Sequence, residues 1–256
     1  MKSKRENLIL NIIVPIITLI FIIVVWAILA NSVADEIILP TPLAVLKKVG
    51  ALLVDGRFYK AYFNTFLRSL IAFISSFILA LVLAIASKYF LIPKKVIETV
   101  VPIVRALPTI AVVLVLVLWT SSRIAPVVVT GLVVLPTVYT TLLEALNKVD
   151  DQLLEMCKVY GISKKRQILE VYLPIILPTV IVVIGSGISL NIKLMVAAEV
   201  LSQTVNSLGL LMQQSKIYFE TPTLFALVIT SIISGLAIES LGNFISKKVR
   251  GKYAGA

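Results

Sequence analysis

FNTFLRSLIAFISSFILALVLAIAS, residues 63–87, carries one charge, Arg68, in 25 positions. Wound as an α-helix it measures about 37 Å, enough to cross a hydrocarbon layer of about 30 Å. Its apolar residues do not alternate with polar ones as a barrel strand requires, and a helix pairs its own backbone groups where no water is available. The segment is therefore predicted to be a transmembrane helix. Five more stretches read the same way, giving spans at Leu8 to Ala30, Phe63 to Ser87, Val96 to Trp119, Ala125 to Leu146, Pro174 to Ala198 and Thr223 to Ile245. The expected fold is all-α, a polytopic membrane bundle of six helices that takes up residues 1–256 as a single transmembrane domain.

Composition agrees with this reading. Hydrophobic residues make up 59% and charged residues 14% of the 256 positions, and mean hydropathy is +1.04. Soluble domains hold about 45–50% apolar residues, so a water-soluble globule, a disordered chain and a coiled coil are excluded. The Lys2, Lys4, Arg5 cluster before the first apolar run resembles the start of a secretory leader. That run is too long for the ~7–15 residue core of a leader, so it is read as a retained span.

The net charge is +11, and the placement of the basic residues explains it. With the N-terminus inside, fifteen of the 24 Lys and Arg fall on the cytoplasmic side and six outside, while Arg68, Arg105 and Lys193 lie within spans. Basic residues collect on the cytoplasmic side of membrane proteins, so both termini are expected in the cytoplasm of a multi-pass cell-membrane protein. No nucleic-acid partner is needed to account for the charge. The chain has no histidine and one cysteine, Cys157, so neither an internal disulfide nor a Cys/His metal site is expected. No catalytic group and no bound cofactor are expected either.

Two connections have structure of their own. After the first span, Thr41 and Pro42 are placed to start a helix through Val45, Leu46, Val49, Leu52 and Leu53, an amphipathic element for the outer membrane surface. Residues 147–172 form the one large polar island on the inner side, with nine of 26 positions charged. Asp150 or Asp151 can cap a helix there whose apolar face is Leu153, Met156, Cys157 and Tyr160. Gly161 offers a left-handed stop, and Ser163 can cap a second helix through Gln167 and Ile168. A cytoplasmic hairpin this amphipathic must cover its apolar side, against a protein partner or its own bundle.

Charges within spans are costly and point to pairing or to a water-filled path. By depth alone, Arg105 matches Glu239 and Arg68 matches Glu199; Lys193 has no partner assigned. Arg105, Pro108, Lys193 and Glu199 are the candidates for lining a path. Pro102 and Pro108 should bend the third span, and Pro126 and Pro136 the fourth. Gly185-Ser186-Gly187-Ile188-Ser189 permits close helix approach, at a dimer seam or a pore wall.

Glu155-Met156-Cys157, Gly161 six residues after the glutamate, and Val171-Tyr172-Leu173-Pro174 resemble the E-A-A-x3-G-x9-I-x-L-P loop of binding-protein-dependent ABC importer permeases. Glu, Gly, Leu and Pro keep register; Met156, Cys157 and Val171 replace Ala, Ala and Ile. Leu39-Pro40-Thr41-Pro42, Arg105-Ala106-Leu107-Pro108, Ala198-Glu199 and Leu208-Gly209-Leu210 are similar to segments of the nitrate, sulfonate and taurine branch. Trp119-Thr120-Ser121-Ser122-Arg123 departs from the glycine-bearing turn usual there. The resemblance implies the type I importer fold, with a second permease subunit, most simply a second copy, two cytoplasmic ATPase subunits and an external solute-binding protein. ATP and Mg would sit on the ATPases, since this chain lacks G-x-x-x-x-G-K-[ST]. It further implies that Leu153, Glu155, Met156, Cys157, Lys158, Tyr160 and Gly161 couple to the ATPase. The solute would be small, of sulfonate, nitrate, taurine or vitamin-precursor type, and the chain itself not an enzyme. The rival from another class is a stand-alone channel or secondary transporter, which has no use for such a hairpin.

Overall fold

Every described element of the computed structural model is helical; it covers residues 4–253, with side chains described for 13–249. Lys2 lies outside the described residues, and the side chains of Lys4, Arg5, Arg250 and Lys252 lie outside those described. The helices are α1 (Lys4–Val33), α2 (Pro42–Leu52), α3 (Gly56–Tyr89), α4 (Leu91–Ala106), α5 (Thr109–Trp119), α6 (Ala125–Asn147), α7 (Asp151–Val159), α8 (Lys164–Arg166), α9 (Leu173–Ser202), α10 (Leu208–Ile217) and α11 (Thr221–Tyr253). Among the described residues five helical stretches are long and apolar enough to cross a membrane, and a sixth crossing is made if the bent pair α4 and α5 counts as one span.

The third span departs from the expected bent rod. α4 and α5 meet at 94°. Pro108 excludes the helical conformation from the residue before it, and Leu107 is extended at φ −66°, ψ 127°. α5 has 11 residues, about 16 Å, too short to cross alone. Pro102 stays inside α4, and Pro126 sits in the first turn of α6, where a missing N–H costs nothing. The fourth span is thus not interrupted at Pro126. The fifth starts earlier than Pro174, because helix is continuous from Lys164 through a π-turn at Gln167–Tyr172 into α9. That turn widens just ahead of Pro174, which has no N–H to return to the preceding turn.

The chain forms two compact units, Met1–Tyr59 with Leu211–Thr230 and Lys60–Leu210 with Ser231–Ala256. In the first, Thr41 caps α2 by accepting from the Ala44 N–H at 3.2 Å. The C-terminal end of α1 is pinned by Trp26, whose Nε1 donates to the Pro40 carbonyl at 3.0 Å and whose ring stacks on Phe225. Ile13 to Val25 of α1 are exposed, Phe21 at 65%, as expected of a lipid-facing helix.

In the second unit α6 and α9 pack together, with Val134, Val138, Tyr139, Leu142 and Val183 in one core with Phe73 of α3. Close approach depends on glycine. A Cβ on Gly185 would lie 2.9 Å from Gly242 Cα of α11, and one on Gly187 would enter the Phe73 ring. These two glycines therefore serve packing within the chain. Gly242→Val should cost about 1–3 kcal/mol by forcing α9 and α11 apart, seen as a lower melting temperature of the detergent-purified protein. Unchanged melting would contradict the contact.

Candidate functional site

The hairpin over residues 147–172 forms as its caps dictate. Asp150 accepts from the Gln152 N–H at 2.9 Å to open α7. Its far end carries paired bonds, Ile162 N–H to Cys157 O at 2.9 Å and Gly161 N–H to Lys158 O at 3.1 Å. This double closure needs a left-handed residue, and Gly161 has φ +64°. Ser163 then accepts from the Arg166 N–H at 3.5 Å.

One side of α7 is apolar and uncovered: Met156 is 55%, Tyr160 76% and Val159 84% exposed, with Leu153 at the edge at 37%. Glu155 and Lys158 are exposed beside it. Cys157 corrects the expected face, for it is buried at 4% and turns inward with the half-buried Leu154. Spacing of i, i+4 put Cys157 with Leu153, but the inward direction runs between Leu154 and Cys157. Val159 takes its place on the outer strip, a residue that the spacing left out.

Within the spans, Arg68 and Glu199 pair as depth suggested, at 2.8 Å. Glu199 is wholly buried and also accepts from Thr65 Oγ1 at 2.8 Å and the Gly209 N–H at 3.4 Å. Arg68 donates a second bond to the Val205 carbonyl at 3.1 Å. Thr65 Oγ1 accepts from the Leu208 N–H at 2.9 Å, so the pair ties α3 to the end of α9 and the start of α10. Gly209 permits this closeness: a Cβ there would lie 2.4 Å from Glu199 Cβ and 2.5 Å from Val200 N. Glu199 is thus buried in a structural clamp, and its place among path-lining candidates is withdrawn.

Arg105 does not pair with Glu239. Its Nη2 donates to Thr140 Oγ1 at 3.1 Å and to the Pro136 carbonyl at 3.4 Å, and the side chain is otherwise exposed. With Pro108 it stands at the corner between α4 and α5. Glu239 instead accepts from Ser189 Oγ at 3.3 Å. Both border a cavity of about 300 Å³ that also holds Lys193, Ser186, Thr137 and Thr141. Lys193 is exposed into it and has no carboxylate within 4 Å among the described residues. Shared depth suggested the Arg105–Glu239 pair but does not fix which neighbour each side chain faces: Arg105 turns to α6 and Glu239 to α9.

Several apolar helices of membrane-crossing length, a bent helix pair, a capped amphipathic hairpin and a cavity between spans with Lys193 and Glu239 in its wall fit a polytopic transport subunit. The chain belongs to the family described as binding-protein-dependent transport system inner membrane component, whose profile matches residues 76–251. It is a multi-pass membrane protein and the permease component of an ABC importer, a transport subunit rather than an enzyme. A probable ABC transporter permease protein of Brucella melitensis biotype 1 is 26% identical over 217 residues, 84% of this chain and 87% of that protein. The putative aliphatic sulfonates transport permease protein SsuC of Bacillus subtilis (strain 168) is 22% identical over 241 residues, 91% and 86% of the two chains. Among solved structures, a bacterial alginate ABC transporter in complex with its alginate pentasaccharide-bound periplasmic protein matches with TM-score 0.66 at 15% identity, covering 96% of each chain. The inward-facing MetNI methionine ABC transporter matches with TM-score 0.61 at 15% identity, covering 75% of this chain and 95% of that one. The type I importer permease fold holds across this divergence.

Proposed function

We propose that this permease is driven through the hairpin at residues 147–172, whose exposed apolar strip seats in a groove of a cytoplasmic ATPase. The observation that carries this reading is that Leu153, Met156, Val159 and Tyr160 stand uncovered on a helix whose other side is packed. Exposed apolar surface of this kind marks a protein contact, and a rigid short helix transmits movement to the spans it hangs from. Glu155 and Lys158 form the polar rim, and Gly161 sets the turn. Two such ATPases hold ATP and Mg, and a second permease subunit, most simply another copy, completes the pathway. Both termini lie in the cytoplasm, and an external binding protein delivers the solute. Copurification of an ATPase with the tagged chain is expected; isolation of an active transporter without one would favour a stand-alone carrier.

The solute belongs among small sulfonate, nitrate, taurine or vitamin-precursor compounds, a range supported by the likeness to SsuC. Lys193 and Arg105 favour an anionic group along the path, because an unpaired cation in a span is tolerated where it meets water or a ligand. Lys193→Gln is expected to lower uptake of an anionic solute about ten-fold while ATP hydrolysis remains, and Arg105→Gln to lower it less, since Thr140 already holds that side chain. Uptake and selectivity unchanged in both variants would remove the anion path.

A further inference from the structure

We infer that the notch behind the hairpin is a binding site for the phosphate headgroup of an anionic phospholipid of the inner leaflet. The notch is a cavity of about 420 Å³ between α7, the start of the α8–α9 helix and the end of α3. Lys158 and Lys164 border it with Gln167, Tyr89 and Tyr172, and no carboxylate among the described residues lines it, although the Asp151 charge reaches Tyr172. Both lysines are exposed. The two tyrosines form its floor, hydroxyl to hydroxyl at 3.0 Å. Lys88 lies beneath, its Nζ 5.3 Å from the Tyr172 ring centre and donating to the Leu146 carbonyl at 2.6 Å. That lysine is used within the fold, so two cations are left to an incoming anion.

Position selects a lipid over a free phosphate. Tyr89 closes the apolar run of α3 and Tyr172 immediately precedes the apolar run that begins at Leu173, so the tyrosine pair in the notch stands at the inner ends of two spans, where tyrosine favours the headgroup interface. Apolar side chains continue from its rim: Phe90 is 64%, Ile92 78%, Ile168 58% and Leu169 51% exposed. A phosphate diester could sit between Lys158 and Lys164 while its acyl chains run along this surface. Basic notches between helices on the cytoplasmic side bind anionic headgroups in this way. The bound lipid would brace the packed side of α7, the side opposite Met156 and Val159, and so stiffen the hairpin.

The test uses the full chain purified with its ATPase subunits and equilibrated with phosphatidylglycerol or phosphatidylcholine. Native mass spectrometry then counts lipids kept by the released permease chain. Phosphatidylglycerol should be retained in preference. Lys158→Gln and Lys164→Gln should each reduce its retention roughly five-fold, as expected for one near-surface lysine, and the Lys158→Arg/Lys164→Arg variant should restore it. Lys216→Gln should have no effect. Equal retention of the two lipids, or full retention by both single Gln variants, would overturn the proposal. So would loss of the ATPase from the Gln variants with lipid retention unchanged, which would assign the lysines to an acidic protein surface. Displacement of the lipid by millimolar inorganic phosphate would overturn it in favour of a free-anion site. Lipid counting does not require transport, and Lys164 lies outside the residues given to the ATPase contact, so the Lys164→Gln outcome is separate from that of the driving role proposed for the hairpin, in which Lys158 also takes part.

Discussion

Gly161→Val should abolish coupled uptake while the permease still inserts and the associated ATPase still hydrolyses ATP. At φ +64° a β-branched residue is strained by about 1–3 kcal/mol. No heavy atom lies within 4 Å of where its Cβ would sit, so the strain is in the backbone and cannot be relieved by moving a neighbour. The cheapest escape is to rotate Gly161 out of the left-handed region. That breaks both closing bonds of α7, to Cys157 and Lys158, and lets the strip of Met156 and Tyr160 swing relative to α9. Gly161→Asn should retain most uptake, because asparagine tolerates this conformation, and Gly161→Ala should fall between. The readout is solute uptake per ATP hydrolysed in proteoliposomes. Full uptake by the Val variant, or a ranking that ignores left-handed tolerance, would contradict the lever.

Glu199→Ala should destabilise the protein by about 3–5 kcal/mol, the usual cost of stripping one partner from a buried ion pair. Arg68, whose side chain is only 17% exposed, would face a cavity in place of a carboxylate. Thr65 and the Gly209 N–H would lose their acceptor as well. The expected drop in melting temperature is on the order of 10 °C. Arg68→Met/Glu199→Gln should be more stable than Glu199→Ala, since the amide oxygen can still serve Thr65 and Gly209 and no bare charge remains. An Ala variant that melts with the parent would show that the clamp contributes nothing.

Hairpin and ion pair were both legible, for reasons that operate locally or along one axis. Asp150 or Asp151, Gly161 and Ser163 specify caps that do not depend on the rest of the fold, and the helix ends form at these positions with Asp150 as the first cap. The span register sets depth, which brought Arg68 to Glu199 correctly. Depth carries no information on rotation about a helix axis, so the same logic failed for Arg105, which turns to Thr140, and for Glu239, which turns to Ser189. Cys157 failed through rotation too, by roughly one residue's worth of the helical wheel. α10 was not anticipated as a helix because LGLLMQQSKI has no clean apolar period, although Ser207 in front of it caps the Leu210 N–H at 2.9 Å. The right-angled break at Leu107-Pro108 was foreseen only as a bend, because proline dictates local conformation and leaves the angle to packing.

The central claim, that the outer strip of α7 grips an ATPase, is most directly tested by site-specific cross-linking in the assembled complex. A Cys157→Ser background makes Met156→Cys the sole thiol, to be treated with a short thiol-to-amine cross-linker. The account predicts capture of the ATPase subunit from position 156 and none from the buried Cys157 in the parent chain. No capture from position 156 in a complex that copurifies with its ATPase and hydrolyses ATP would contradict it.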